Sequence, residues 1–184
     1  MSVATQSSVE ERHSRPASNE YAPYYGRYID RVPAGDIVEI LRTQIVETSS
    51  FLREIPNDRT TSGYAPGKWT IRDIVGHLAD TERVMSYRAL RFARGDRTPL
   101  PGFEESEYAP HAHASDREMT DLVHELEVVR ASTVALFTGL PADAWGRAGN
   151  ASENEISVRA LAAVIAGHER HHVAVIRERY LTGR

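Results

Sequence analysis

Four stretches of this chain, each roughly 19 to 24 residues long, place apolar residues at three- and four-residue intervals. That pattern commits the sequence to long helices, each of which must bury one side against a neighbour. The first runs from about Asp36 to Glu54, with Asp36 and Glu39 as a capping box and Ile37, Ile40, Leu41, Ile45, Phe51 and Leu52 as its stripe. The second runs from about Ile71 to Ala93 behind Thr70 and Asp73, and Gly95-Asp96 ends it. The third spans about Asp116 to Thr138, capped by Ser115 with Glu118 and closed by Gly139 and Pro141. The last runs from about Val158 to Leu181 behind Ser157. Helices near twice the usual length of ~12 residues, each with a one-sided stripe, pack as a bundle. No stretch has the alternation or turn chemistry of a β-sheet, so the expected fold is an all-α four-helix bundle.

The connections refine this picture. Residues 1–20 are polar and aperiodic and read as a flexible tail, which leaves residues 21–184 as a single domain. The segment YAPYYGRYIDRVP, from Tyr21 to Pro33, reads as an extended strap whose Tyr21, Tyr24, Tyr25 and Tyr28 cover the edge of a core. About 20 residues separate helices two and three, a length that suits a functional loop or a long crossover. The stretch from Trp145 to Ile156 reads as an irregular connection. With no signal-like apolar run and no window near the ~20 apolar residues of a membrane span, a cytoplasmic location is expected.

Composition narrows the chemistry. A net charge of −4 is not the basic footprint of a nucleic-acid binder. The absence of cysteine excludes thiolate metal sites, iron–sulfur clusters and a cysteine nucleophile, so any metal must be held by nitrogen or oxygen. Eight histidines are therefore the residues to place.

His168 and His172 are four residues apart and share a ~100° arc with Leu161, Ile165, Val175 and Ile176, so both point into the bundle. Two inward imidazoles must satisfy four ring nitrogens away from water, and a shared metal satisfies one on each. His171 lies ~60° off the stripe, at its rim. The sequence His168-Glu169-Arg170-His171-His172 fits the H-E-x-x-H pattern of zinc proteases, but only 12 residues follow His172, so a third ligand must come from upstream. Glu169 stands at the stripe's edge, either as the carboxylate that activates water or as a solvated helix residue.

The upstream candidate is His77, which faces inward beside Thr81 and Arg88 and follows Gly76, where a neighbouring helix could approach. Three imidazoles from two helices leave positions open for water or substrate. Arg88 needs an anion, either a structural carboxylate or one on a substrate, and Arg91 is a second candidate for that role. Trp69 serves as core anchor and pocket wall. With Thr81, these residues form the candidate substrate side of the site. His13, His111, His113 and His124 fall in the tail, the loop or the outer face of helix three.

The tracts PYYGRYIDRVPAGDIVEIL, YAPGKWTIRDIVGHLADTERVMSYRALRFARGD with its following PLPGF, and SVRALAAVIAGHERHHVAVIRERYL resemble the DinB-like family of bacterial four-helix-bundle metalloproteins. That family includes YfiT-type hydrolases and low-molecular-weight-thiol transferases. The resemblance covers about Tyr24 to Leu181. It implies a crossover bundle, a homodimer, and a nickel or zinc ion on His77, His168 and His172. It also implies a metal-dependent thiol S-transferase or hydrolase acting on a small electrophilic substrate, with a low-molecular-weight thiol as possible co-substrate. The competing class is a bundle that holds a metal without turnover.

Overall fold

The computed structural model describes residues 10–12 and 14–182; His13 and the first nine residues of the expected tail lie outside them. The chain orders its elements as α1 (Gly26–Ile29), α2 (Ile37–Arg53), α3 (Asn57–Thr60), α4 (Ile71–Ala93), α5 (Glu105–Ala112), α6 (Met119–Thr138), β1 (Ala148–Ala151), β2 (Asn154–Ser157) and α7 (Val158–Val175). Six further residues, Ile176–Leu181, continue α7 as π-type turns. No helix among the described residues is long and apolar enough to cross a membrane.

The long helices α2, α4, α6 and α7 form the bundle. Both α2 and α4 pack against α6 and α7, so the consecutive helices α2 and α4 face each other across a diagonal. This is not simple up-and-down order, in which each helix packs on the next. Helix starts follow local chemistry. Asp36 Oδ1 accepts from the Val38 and Glu39 amides, Thr70 and Asp73 close a reciprocal capping box, and Ser157 Oγ accepts from the Ala160 amide.

The expected box at Ser115 and Glu118 does not form. Residues Ala114–Asp116 make a 3-10 turn, and α6 starts at Met119 with Glu118 as an N-cap that gives no side-chain bond.

Three connections also differ from expectation. The strap is not extended: Pro23–Tyr25 form a 3-10 turn that leads into α1, with Tyr28 and Ile29 buried. It crosses α7 at Gly167, where a Cβ would sit 2.0 Å from the Tyr28 carbonyl oxygen. The stretch after Trp145 contains the antiparallel hairpin β1–β2, turned by Ser152 and Glu153 at positive φ. Asn-Gly or Asp-Gly would have signalled this turn; Ser-Glu does not. The long loop is also partly ordered. Leu100 bridges to the hairpin at Ala151, and α5 follows. Of the expected tail, residues 14–20 are tied to the bundle. Glu20 accepts from Ser157 Oγ at 2.7 Å and Arg159 Nε at 3.1 Å, and Arg15 donates to the Ile29 carbonyl at 3.0 Å.

The interior is two apolar clusters with a polar layer between them. One joins Leu41, Met85, Phe92, Phe137 and Trp145 to the first half of α7. The other joins Leu52, Ile71, Ile74, Leu78, Leu122 and Leu126. Each fully buried side chain of this size contributes about 1.5–3 kcal/mol. Between the clusters the four helices bury Gln44 and Thr48, Thr81 and Glu82, Arg130 and Thr133, and His168 and Glu169. The candidate site lies in this layer.

Candidate metal centre

His77 lies two turns into α4, close to the rigid start made by the Thr70–Asp73 box. His168 and His172 are one turn apart near the end of α7. The three imidazoles converge: His168 Nε2 lies 3.0 Å from His77 Nε2 and 3.1 Å from His172 Nε2. All three candidate ligand atoms fall within 4.8 Å of one another. Gly76 does admit a close neighbour, but it is Ala114 of the crossover loop, whose Cβ would lie 2.8 Å from an added Cβ, and not another long helix.

Protons alone do not satisfy this arrangement. His168 Nε2 faces two other Nε2 atoms, and one N–H can serve only one of them. Burial holds His77 down to about 4 and His172 to about 3, and lowers His168 well below the ordinary value. All three are therefore neutral near pH 7 and offer lone pairs. Around one ion with bonds of about 2.0–2.1 Å, ligand atoms at 90–109° stand roughly 2.9–3.4 Å apart, which is the spacing of His168 Nε2 from each of the other two, while His77 and His172 lie within 4.8 Å of each other. The donor set therefore fits a divalent transition ion.

The surroundings hold the rings. Thr81 Oγ1 lies 3.3 Å from His77 Nδ1, so Thr81 orients the imidazole in addition to lining a cavity. The Trp69 ring packs on His77 at 4.9 Å between centroids, and the Tyr28 ring meets His168 at 5.2 Å and His171 at 5.5 Å. His171 is half-buried at the rim. Two open cavities flank the cluster. His168 lines the first with Tyr25, Tyr28, Thr81 and Arg88, and His172 lines the second with Trp69, Lys68 and Tyr180.

Glu169 fits neither sequence reading. It is 2% exposed, so it is not solvated, and its oxygens accept from Thr48 Oγ1 and from Arg130 Nη2 at 2.5 Å. Arg130 also binds both oxygens of Glu82 at 2.8 Å. Arg88 is equally buried at 2% but meets neutral acceptors: the Pro101 carbonyl and Ser152 Oγ, both at 2.9 Å, and the Met85 sulfur at 3.8 Å. Arg91, the alternative, is paired with Asp96. His111, His113 and His124 are exposed.

Sequence reasoning missed several residues. Arg130 follows Leu122 and Leu126 at four-residue steps, and Glu82 follows Leu78 in the same way, so helical spacing could have flagged both. Glu105, whose Oε2 is 3.9 Å from His77 Nε2, is delivered by α5 within the loop, and no periodicity marks it. Tyr28, expected to cover the core, is buried and in addition touches the site through His168.

Residues 39–176 match the family model described as the DinB superfamily. A putative metal-dependent hydrolase of Oceanobacillus iheyensis is 30% identical over 154 residues, covering 80% of this chain and 87% of its own length. YfiT from Bacillus subtilis, described as a probable metal-dependent hydrolase with an unusual four-helix bundle topology, superposes with a TM-score of 0.67. The identity is 17%, over 94% of this chain and 95% of that one. The mycothiol-dependent maleylpyruvate isomerase superposes with a TM-score of 0.61 at 17% identity, over 80% of this chain and 61% of that one. At such identities the two structural likenesses concern the fold.

Proposed function

Because the chain belongs to the DinB superfamily, we propose that it is a divalent-metal-dependent enzyme whose ion is held by His77, His168 and His172. Its substrate is a small electrophile, attacked by water in a hydrolysis or by a low-molecular-weight thiol in an S-transfer. The observation that carries this reading is the meeting of three neutral imidazoles, two buried and one half-buried, through their Nε2 atoms beside two open cavities. A purely structural ion would be closed off by a fourth protein ligand, whereas three ligands leave a position for water or substrate. The relative named as a metal-dependent hydrolase supports the hydrolytic arm, and the fold shared with a mycothiol-dependent isomerase is compatible with the thiol arm.

When bound, the ion supplies Lewis acidity that makes a water or thiol acidic enough to react near neutral pH. The chain's own residues do the rest. Thr81 and Trp69 fix the His77 ring, and Tyr28 covers His168 against bulk water. Glu105 Oε2, at the edge of the cluster, accepts the proton that the nucleophile loses. The chain has no cysteine, so any thiol in the reaction enters as a substrate. Nickel or zinc as the ion, a homodimeric assembly and a cytoplasmic location belong to the same proposal.

The test is metal analysis of protein expressed with nickel or zinc, together with turnover of monochlorobimane with bacillithiol or mycothiol and of generic esters. About one equivalent of metal is expected in the wild type, lost in His77→Ala and His168→Ala, with turnover lost in parallel. Glu105→Gln should keep the metal and lower the rate. Metal below a few tenths of an equivalent overturns the site. A full equivalent without turnover above the histidine variants leaves a non-catalytic metal-binding bundle.

A further inference from the structure

Arg88 occupies the cavity on the His168 side, on the same face of α4 as His77, Thr81 and Met85. It lies eleven residues beyond His77, about 16 Å along the helix axis at 1.5 Å per residue. Among the described residues no Asp or Glu pairs with it. Its Nη2 is spent on a carbonyl and a hydroxyl, and its Nη1 meets the weakly accepting Met85 thioether. A buried guanidinium compensated by dipoles alone is costly to keep, and its planar fork matches a carboxylate. The phenol of Tyr25 also lies close enough for Arg88 to oppose the upward push of burial on its pKa.

The remaining lining describes the rest of the ligand. Tyr24, Tyr25, Tyr28 and Phe103 offer ring surfaces for an organic body, and the exposed Glu104 and Glu105 put negative charge at the mouth. One buried positive charge behind two rim carboxylates admits a single negative charge and repels a second.

We infer that Arg88 is the anion anchor of this cavity and that the substrate is a small organic monocarboxylate, its carboxylate on Arg88 and its reacting end toward His168. This inference rests on reading the cavity as the substrate side of the metal centre.

The test uses 3-phenylpropionate, its neutral amide, succinate and inorganic phosphate as probes, by calorimetry on chelator-treated and on nickel-loaded protein. Metal content and thermal melting are recorded for every variant. Metal-free wild type is expected to bind 3-phenylpropionate at least about tenfold tighter than the amide, succinate or phosphate. Arg88→Gln should lose that preference and Arg88→Lys should keep part of it, both with unchanged nickel content. Glu104→Gln, an exposed change safe for folding, should tighten succinate binding about twofold whether or not the Arg88 variants fold.

Equal binding of acid and amide overturns the proposal, as does binding that survives Arg88→Gln. So does carboxylate binding seen only in the nickel-loaded protein, or no effect of Glu104→Gln on succinate. If the wild type takes up no metal but Arg88-dependent carboxylate binding persists, the metal reading falls and the anion anchor stands.

Discussion

Arg130 and Arg88 are two arginines buried to nearly the same depth, at 1% and 2% exposure, and treated in opposite ways. Arg130 lies between Glu82 and Glu169, with a bidentate pair to the first and a short bond to the second. Arg88 has no carboxylate among the described residues and faces an open cavity. The histidines fall on the side of Arg88, with three imidazoles aimed at one another and too few protons to satisfy them. Where the chain brings its own counter-charge, the polar layer is architecture. Where it leaves the partner out, the group is, on our proposal, a binding site, and that contrast can be tested.

The largest expected effect tests the architectural half. Arg130→Met leaves two buried carboxylates without their cation and should cost about 3–5 kcal/mol in urea unfolding. Arg88→Gln, which strands only neutral acceptors, should cost no more than ~1.5 kcal/mol. Equal losses would erase the distinction between the two arginines.

Next in size is the response to metal. If the histidines await an ion, free nickel or zinc at a hundred times its Kd should stabilise the wild type by about 2.7 kcal/mol, and a chelator should reverse the shift. His172→Ala should abolish it. A wild-type melting curve indifferent to metal would move the histidines to the structural side.

The same division explains what could be read in advance. Helical spacing selected His77, His168 and His172 because all three sit on long periodic helices, where sequence position fixes direction, and the chain does bring them together. The starts at Asp36, Thr70 and Ser157 were legible because an N-cap is a local bond. Ser115 failed by the same local rule: residues 114–116 pack as a 3-10 turn with Ala114 against Gly76, a tertiary contact that overrides the cap. The hairpin was invisible because four-residue strands with a Ser-Glu turn carry neither alternation nor turn signal. Glu105 and Ser152 reach the cavity from connecting segments, and position on a loop does not predict what a side chain faces. Glu169 was misjudged because one helix's wheel cannot reveal that Arg130 of another helix lies opposite it.

The pH dependence of the metal-free protein gives a smaller effect. His77 and His172 are held in the fold to about 4 and about 3, against 6.5 for the unfolded chain. Between those values the unfolded state binds protons that the folded state does not, so stability falls as pH falls below 6.5. By pH 5.5 the loss should be on the order of 1 kcal/mol for each of these two histidines. Urea unfolding at pH 7.5 and 5.5 reads this while most carboxylates stay ionised. Nickel should suppress the loss, since a ligated nitrogen cannot be protonated. A flat profile would mean that the cluster is already charged or already satisfied.

The smallest effect concerns a single hydroxyl. Thr81 is the one oriented contact among the described residues between His77 Nδ1 and the rest of α4, at 3.3 Å. Outer partners of this kind set ring orientation and are worth about ten- to a hundredfold in metal affinity. Thr81→Val keeps the shape and the helix but removes the hydroxyl, so it should weaken metal binding about tenfold while changing metal-free stability by less than ~1 kcal/mol. Thr81→Ser should restore most of the affinity. If Thr81→Val binds metal as tightly as the wild type, the ring is held by Trp69 packing alone, since that contact, at 4.9 Å between centroids, is untouched by the change. The hydroxyl would then serve the cavity shared with Arg88, and Thr81 would pass from the metal's support to the substrate's wall.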